Sequence, residues 1–171
     1  MFYQQKVIGI NKNPYWPVHT TSKVVNFANI YCGIETSPGY SPGNYIQAMG
    51  KLYIGDYTQI APNVGIITGN HELTDNRNHV LKNVSIGKYC WIGMGAIILP
   101  GVVLGDYTIV AAGSVVTKSF ENGFQVIGGN PAKQIKKINE KECVFHKSEY
   151  EYNGYVKHSN FEEFRKEHLN V

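Results

Sequence analysis

Taking every sixth residue from Ile54 gives Ile54, Ile60 and Ile66. After an interruption the series resumes as Ile86, Ile92, Ile98, Leu104, Val110 and Val116. Every member is aliphatic. With hydrophobic residues at the chain's own frequency of 43%, such a run in one register arises about once in two thousand trials. Two positions before each aliphatic stand mostly small or β-branched residues: Leu52, Thr58, Val64, Val84, Cys90, Ala96, Val102, Thr108 and Ser114. One position after come Gly55, Ala61, Gly87, Gly93, Gly105 and Ala111, with Ile67, Leu99 and Thr117 as larger exceptions. Six residues on an α-helix advance about 600°, which smears a stripe around the cylinder. An ordinary strand alternates every two residues and stops after about five or six. A short strand followed by a sharp bend fits the period. Three such strands close one triangular coil, with aliphatics pointing inward and coils stacked about 4.8 Å apart.

The interruptions define the rest of the chain. Ile66 and Ile86 are twenty residues apart, so residues 70–83 are expected to leave the coil as an excursion loop. The stretch 36–44 is turn-rich and non-repetitive, and Val24, Val25, Ile30 and Ile34 suggest an irregular first coil upstream. Asn130-Pro131 should end the repeats, because proline removes a donor and forces an extended predecessor. After a tyrosine-rich connector, Ser159-Asn160-Phe161-Glu162 reads as a capping box opening a short C-terminal helix, with Phe161, Phe164 and Leu169 on its buried face. The expected organisation is an irregular segment and first coil over residues 1–45, repeats over 46–130, and an extension over 131–171.

The stretch Ile86-Gly87-Lys88-Tyr89-Cys90-Trp91-Ile92-Gly93, together with Ala111-Ala112-Gly113-Ser114-Val115-Val116-Thr117-Lys118, resembles the hexapeptide-repeat acyltransferases, most closely the branch of sugar and xenobiotic O-acetyltransferases. The resemblance runs roughly from Ile46 to Lys136. It implies an all-β fold, a left-handed parallel β-helix with the excursion loop and the short C-terminal helix. The handedness comes from the resemblance alone, since strand crossovers are normally right-handed.

Composition changes the picture only modestly. Eighteen glycines and twelve tyrosines suit tight turns and half-buried strands. A net charge of +3 without a dense basic stripe argues against a nucleic-acid partner. Lys133, Lys136 and Lys137 cluster as either a solvated face or a receptor for the phosphates of a small anion. Cys32, Cys90 and Cys143 are odd in number and show neither metal-ligand spacing nor a disulfide framework, which suggests a reducing compartment. The first residues lack the apolar run of a signal peptide, and no segment is apolar enough to insert into a membrane. A cytoplasmic location is expected.

The candidate chemistry centres on Thr68-Gly69-Asn70-His71-Glu72-Leu73-Thr74-Asp75, where the chain leaves a coil. An imidazole there suits the deprotonation of a hydroxyl near neutral pH, and an exposed loop histidine is the plainer alternative. The resemblance makes His71 the catalytic base. His79 shares the loop and is a candidate acceptor contact, whereas His19 reads as part of a packing corner. Asp75 either orients an imidazole or solvates the loop.

By similarity, Ala112, Thr117, Lys118, Lys133 and Lys136 take cofactor positions, and Gly93 and Met94 line the acetyl end. Met94 stands where some relatives carry serine. Gly129, in Gly128-Gly129-Asn130-Pro131, allows close backbone approach to a ligand. Trp91 is a large outward residue suited either to subunit packing or to stacking on a ligand, and Asn44 and Tyr45 are placed where an acceptor groove is expected.

The implied activity is O-acetyl transfer from acetyl-coenzyme A (acetyl-CoA) to a sugar or polysaccharide-precursor hydroxyl. The resemblance further implies a ternary complex of donor and acceptor without metal, and a homotrimer with sites between subunits. N-acetylation of an amino sugar, a γ-class carbonic anhydrase-like metalloenzyme and a non-catalytic β-helix used for assembly are the alternatives.

Overall fold

The computed structural model describes residues 2–171. Its body is a three-sided parallel β-helix. The first face stacks Lys23–Val25, Tyr45–Gln47, Gly65–Ile67, Ile97–Ile98 and Val115–Val116. The second stacks Ile30–Cys32, Leu52–Ile54, Val84–Ile86 and Val103–Leu104. The third stacks Gln59–Ile60, Trp91–Ile92, Thr108–Val110 and Gln125–Gly129. All pairings between these coils are parallel.

Each inward aliphatic lands on its counterpart one coil away. Ile46, Ile66, Ile98 and Val116 form one column, Ile54, Ile86 and Leu104 a second, and Ile60, Ile92, Val110 and Ile127 a third. Apart from the partly buried Ile60, all are at most 2% exposed. Burial of such a side chain contributes roughly 1.5–3 kcal/mol, so the columns are the core.

The edge between the second and third faces shows why bends fall where they do. Here Gly55 and Gly87 stack so closely that a Cβ on Gly55 would lie 2.7 Å from the Gly87 carbonyl carbon. A Cβ on Gly87 would in turn lie 2.6 Å from the Asp106 nitrogen. Two residues beyond the stacked glycines, Tyr57, Tyr89 and Tyr107 adopt left-handed backbone conformations with φ of 57°, 54° and 54°. Positive φ is unusual for bulky residues. Packing compensates: the rings stack in a column at 5.2 Å intervals, and Phe124 continues it at 5.5 Å.

At the far end, Pro131 lies in the turn where the chain reverses into Ala132–Lys137, antiparallel to Gln125–Gly129. The connector then descends the tyrosine column. The Tyr107 hydroxyl donates to the Val144 carbonyl, Tyr89 to His146 at 2.8 Å, and the Ser148 amide donates to the Tyr57 hydroxyl at 3.1 Å. Phe145 packs edge-on against Tyr89 and Tyr107. Two connector residues thus span each coil.

A small hairpin, Tyr152–Asn153 with Val156–Lys157, leads into helix α1, His158–His168. The capping box expected at Ser159 does not form: the N-cap is Lys157, two residues earlier, and the Ser159 hydroxyl donates to the Asn160 side chain. The hairpin delivers the chain straight into the helix, leaving no extended residue at Ser159 to cap it. Phe161 is 1% exposed and sits against Tyr15, while Phe164 and Leu169 pack at the margin of the core. Together with the fully buried Trp16, whose indole N–H donates to the Pro38 carbonyl, they plug the N-terminal end of the prism.

Candidate active site

The excursion leaves between the first and second faces. It is a β-hairpin, Gly69–His71 paired antiparallel with His79–Leu81. Its neck is fixed: the Lys82 amide donates to the Thr68 carbonyl at 2.8 Å, and the buried Thr68 hydroxyl donates to the Gln47 carbonyl.

His71 and His79 are cross-strand partners, with ring centroids 4.5 Å apart. His71 Nδ1 lies 2.5 Å from the Asn76 carbonyl oxygen. A carbonyl can only accept, so Nδ1 bears the proton, and the neutral ring is the tautomer with its lone pair on Nε2. Nε2 makes no hydrogen bond to a described residue. The imidazole opens on a cleft of about 470 Å³ lined by Asn70, Glu72, Leu73, Thr74, Val80, Lys82 and Pro100, within the range usual for small-molecule sites.

Asp75 does not orient His71. Its carboxylate receives a two-pronged contact from Arg77, which holds its pKa below the usual aspartate value. The orienting group is the Asn76 carbonyl, a role no sequence pattern marks.

A second cleft, of about 850 Å³, lies at the C-terminal end of the prism. Lys118, Lys133 and Lys137 line it, with Ser119, Glu121, Gln125 and Gln134. Lys118 Nζ also stands 5.7 Å from the Phe120 ring centroid. Lys136 lies outside this cleft and Lys137 takes its place, because the pairing shifts by one residue where Ile135 has no partner.

Lys118 and the His71 hairpin leave the same edge, two coils apart. Gly93, Met94 and Ala112 lie on a different edge, between the third and first faces. Met94 is 56% exposed there. Gly93 is buried, its amide and carbonyl are both used within the stack, and a Cβ on it would meet the Val110 carbonyl oxygen at 2.6 Å. Coil stacking therefore accounts for that glycine. Gly129, with φ of 99°, forms the reversing turn and donates its amide to Ser114 Oγ.

The acceptor role expected for Asn44 is corrected. Its side chain is 1% exposed and donates to the Ala61 carbonyl from inside the coil. Tyr45 and Trp91 are 44% and 55% exposed, Tyr45 on the first face and Trp91 on the third, which does not border the His71 edge.

The family model for the bacterial transferase hexapeptide, six repeats, matches residues 83–118. The galactoside O-acetyltransferase of Escherichia coli (strain K12) is 36% identical over 107 residues, 60% of this chain and 52% of that protein. The crystal structure of a maltose O-acetyltransferase from Clostridium difficile 630 superposes with a TM-score of 0.68 at 30% identity, covering 81% of this chain and 77% of that one. The chain belongs to the hexapeptide-repeat transferase family.

Another solved structure, a galactoside acetyltransferase in complex with coenzyme A, gives a TM-score of 0.62 at 27% identity, with 82% of this chain and 70% of that one covered. The chain spans about half the length of the curated E. coli relative. The stretch matched by the hexapeptide-repeat model holds Trp91, Met94, Ala112, Thr117 and Lys118. His71 and the lysines of Ala132–Lys137 fall outside it.

None of the three thiols in this hexapeptide-repeat protein is disposed to act as a nucleophile. Burial pushes the Cys90 thiol up to about 12 and raises that of Cys32 further. Cys143 is raised by desolvation and by the neighbouring Glu140 and Glu142. Among the described residues, no three His, Cys, Asp or Glu side chains gather as a metal-ligand set, and no helix is long and apolar enough to cross a membrane.

Proposed function

We propose that this chain is an acetyl-CoA-dependent O-acetyltransferase, acting on a hydroxyl of a sugar or polysaccharide precursor, with His71 as general base. A left-handed sense of the coil and a homotrimeric assembly go with this reading. The observation that carries it is the His71 imidazole: its Nδ1 is held by the Asn76 carbonyl, and the residue lines a ligand-sized cleft. In the reaction, Nε2 accepts the proton of the acceptor hydroxyl as its oxygen attacks the thioester carbonyl. The imidazolium then returns that proton to the departing thiolate. Backbone N–H groups supply oxyanion stabilisation. The upward shift of all three thiols fits direct transfer rather than a cysteine-borne acyl-enzyme.

Three ammonium groups around the C-terminal cleft suit a polyanionic donor. Lys118→Glu and Lys133→Glu are expected to weaken coenzyme A binding, more strongly at low salt, because exposed charges are screened as ionic strength rises. Titration calorimetry at two salt concentrations checks this; unchanged affinity at low salt moves the donor site elsewhere. The activity itself is tested by offering sugars and nucleotide-sugars with acetyl-CoA and following thiol release.

The division of His71 from Gly93, Met94 and Ala112 between two edges suits a site shared by neighbouring chains, whereas Lys118 leaves the same edge as His71 and is assigned to a chain only by mixing two variant chains. A ligand touching both edges must either lie across the first face or bridge two subunits. We expect His71 and the principal phosphate-binding lysine of one site to come from different chains. Co-refolding equal amounts of the His71→Ala and Lys118→Glu chains then restores about a quarter of wild-type activity, since partners in a closed ring are drawn independently. Mixed trimers without activity overturn the shared site.

A further inference from the structure

One cation in the His71 cleft has no partner. Lys82 lines the same cavity as the imidazole, and it is in none of the ion pairs or side-chain hydrogen bonds of the described residues. Its placement is not loose. The backbone amide closes the hairpin neck onto Thr68, and the next residue, Asn83, accepts from the Lys51 amide through its side chain. The aliphatic stem lies over Gly101, where a built Cβ would meet Lys82 Cδ at 3.2 Å.

The cleft's one carboxylate is differently engaged. Glu72 accepts from the Thr74 hydroxyl through one oxygen and from the Asn78 amide through the other. Glu72, like Lys82, is in no ion pair among the described residues, but its two oxygens are turned to Thr74 and Asn78. The exposed Lys82 ammonium is the charged group in the cleft without a hydrogen-bond partner among the described residues, and it is the one that an anionic acceptor would engage.

We propose that Lys82 is a specificity-determining residue that selects an acceptor carrying an anionic group, a sugar carboxylate or phosphate, beside the hydroxyl presented to His71. This rests on the O-acetyltransferase reading for the identity of the cleft. The shared chemistry is an oxyanion bound to an ammonium by charge-assisted hydrogen bonds.

The test uses the full-length protein and three probes: a neutral hexose, the matching uronic acid and the hexose 1-phosphate. Binding of each is measured by titration to the wild type, Lys82→Met and Lys82→Glu, with circular dichroism confirming the fold. The wild type is expected to bind at least one anionic probe about 10-fold more tightly than the neutral hexose, the scale of one charge-assisted contact. Lys82→Met should bring that ratio near one, and Lys82→Glu should invert it. Whichever probe shows the preference separates carboxylate from phosphate.

Equal wild-type affinity for all three overturns the proposal. So does a Lys82→Met variant that keeps the anion preference, or one whose defect appears only in acetyl-CoA affinity. Since binding is read without turnover, an anion preference without acetyl transfer from acetyl-CoA sinks the enzymatic reading and leaves the anion site standing. Acetyl transfer with no anion preference does the reverse.

Discussion

His71→Ala is expected to reduce thiol release by ~10²–10⁴-fold, the usual scale of a lost general base, while leaving the protein folded. The side chain is exposed, and its one hydrogen bond is to the Asn76 carbonyl of its own loop. No core column or coil corner depends on it. Removing an exposed side chain of this kind typically changes stability by less than about 0.5 kcal/mol. Coenzyme A affinity should be retained, because the lysine cleft shares no lining residue with the His71 cleft. Steady-state kinetics on a variant with a native melting curve decides the matter. Near-native turnover from that variant removes His71 from the mechanism.

A large loss of stability is expected at Gly87. In Gly87→Val the new Cβ would stand 2.4 Å from Asp106 Oδ1, 2.6 Å from the Asp106 nitrogen and 2.8 Å from the Gly105 carbonyl carbon. Two of these are backbone atoms held by a coil with neighbours on both sides, so the clash cannot be relieved by turning a side chain. Overpacking a well-packed core typically costs about 1–3 kcal/mol, and a clash against backbone places Gly87→Val at the upper end of that range. Against a total stability of about 5–15 kcal/mol, much of the folded population is at risk. Gly65→Ala is the control: its Cβ would find only Ile97 side-chain atoms at 3.7 and 3.8 Å, so little change is expected. Denaturant midpoints compare the two. A Gly87→Val protein as stable as the Gly65→Ala control contradicts the packing account of these corners.

The inner columns were legible in the sequence because an aliphatic at every sixth position is the direct image of a repeated strand and bend. Ile54, Ile66, Ile86 and Ile98 needed no tertiary information. The tyrosine column was written once per coil, three residues after Ile54, Ile86 and Leu104. It passes unnoticed because tyrosine ordinarily signals a half-buried strand position, and a left-handed tyrosine makes sense only once its stacked neighbours are known. The excursion loop could be located from the broken spacing, but its conformation as a hairpin could not. Nor could the role of Asn76, which acts through its carbonyl and carries no mark in its side chain. Asn44 misled for a related reason. A polar residue beside a turn suggests exposure, whereas here the side-chain NH2 donates to the Ala61 carbonyl from inside the coil and Oδ1 is buried without a partner among the described residues.

The descending C-terminal segment has a consequence for how this molecule comes apart. A stack of repeats in which each coil touches only its neighbours can melt from either end, one layer at a time. Here Asn153 donates to the Cys32 carbonyl, 121 residues away, Tyr155 to Gln5, 150 away, and Asn170 to Asn29, 141 away. The last residues of the chain thus hold the first coil shut, and the path to them is laid along every layer between. The linear array becomes a closed circuit, in which loosening the top layers slackens the segment that seals the bottom. Hydrogen exchange should therefore find the terminal coils opening together with the centre rather than fraying ahead of it.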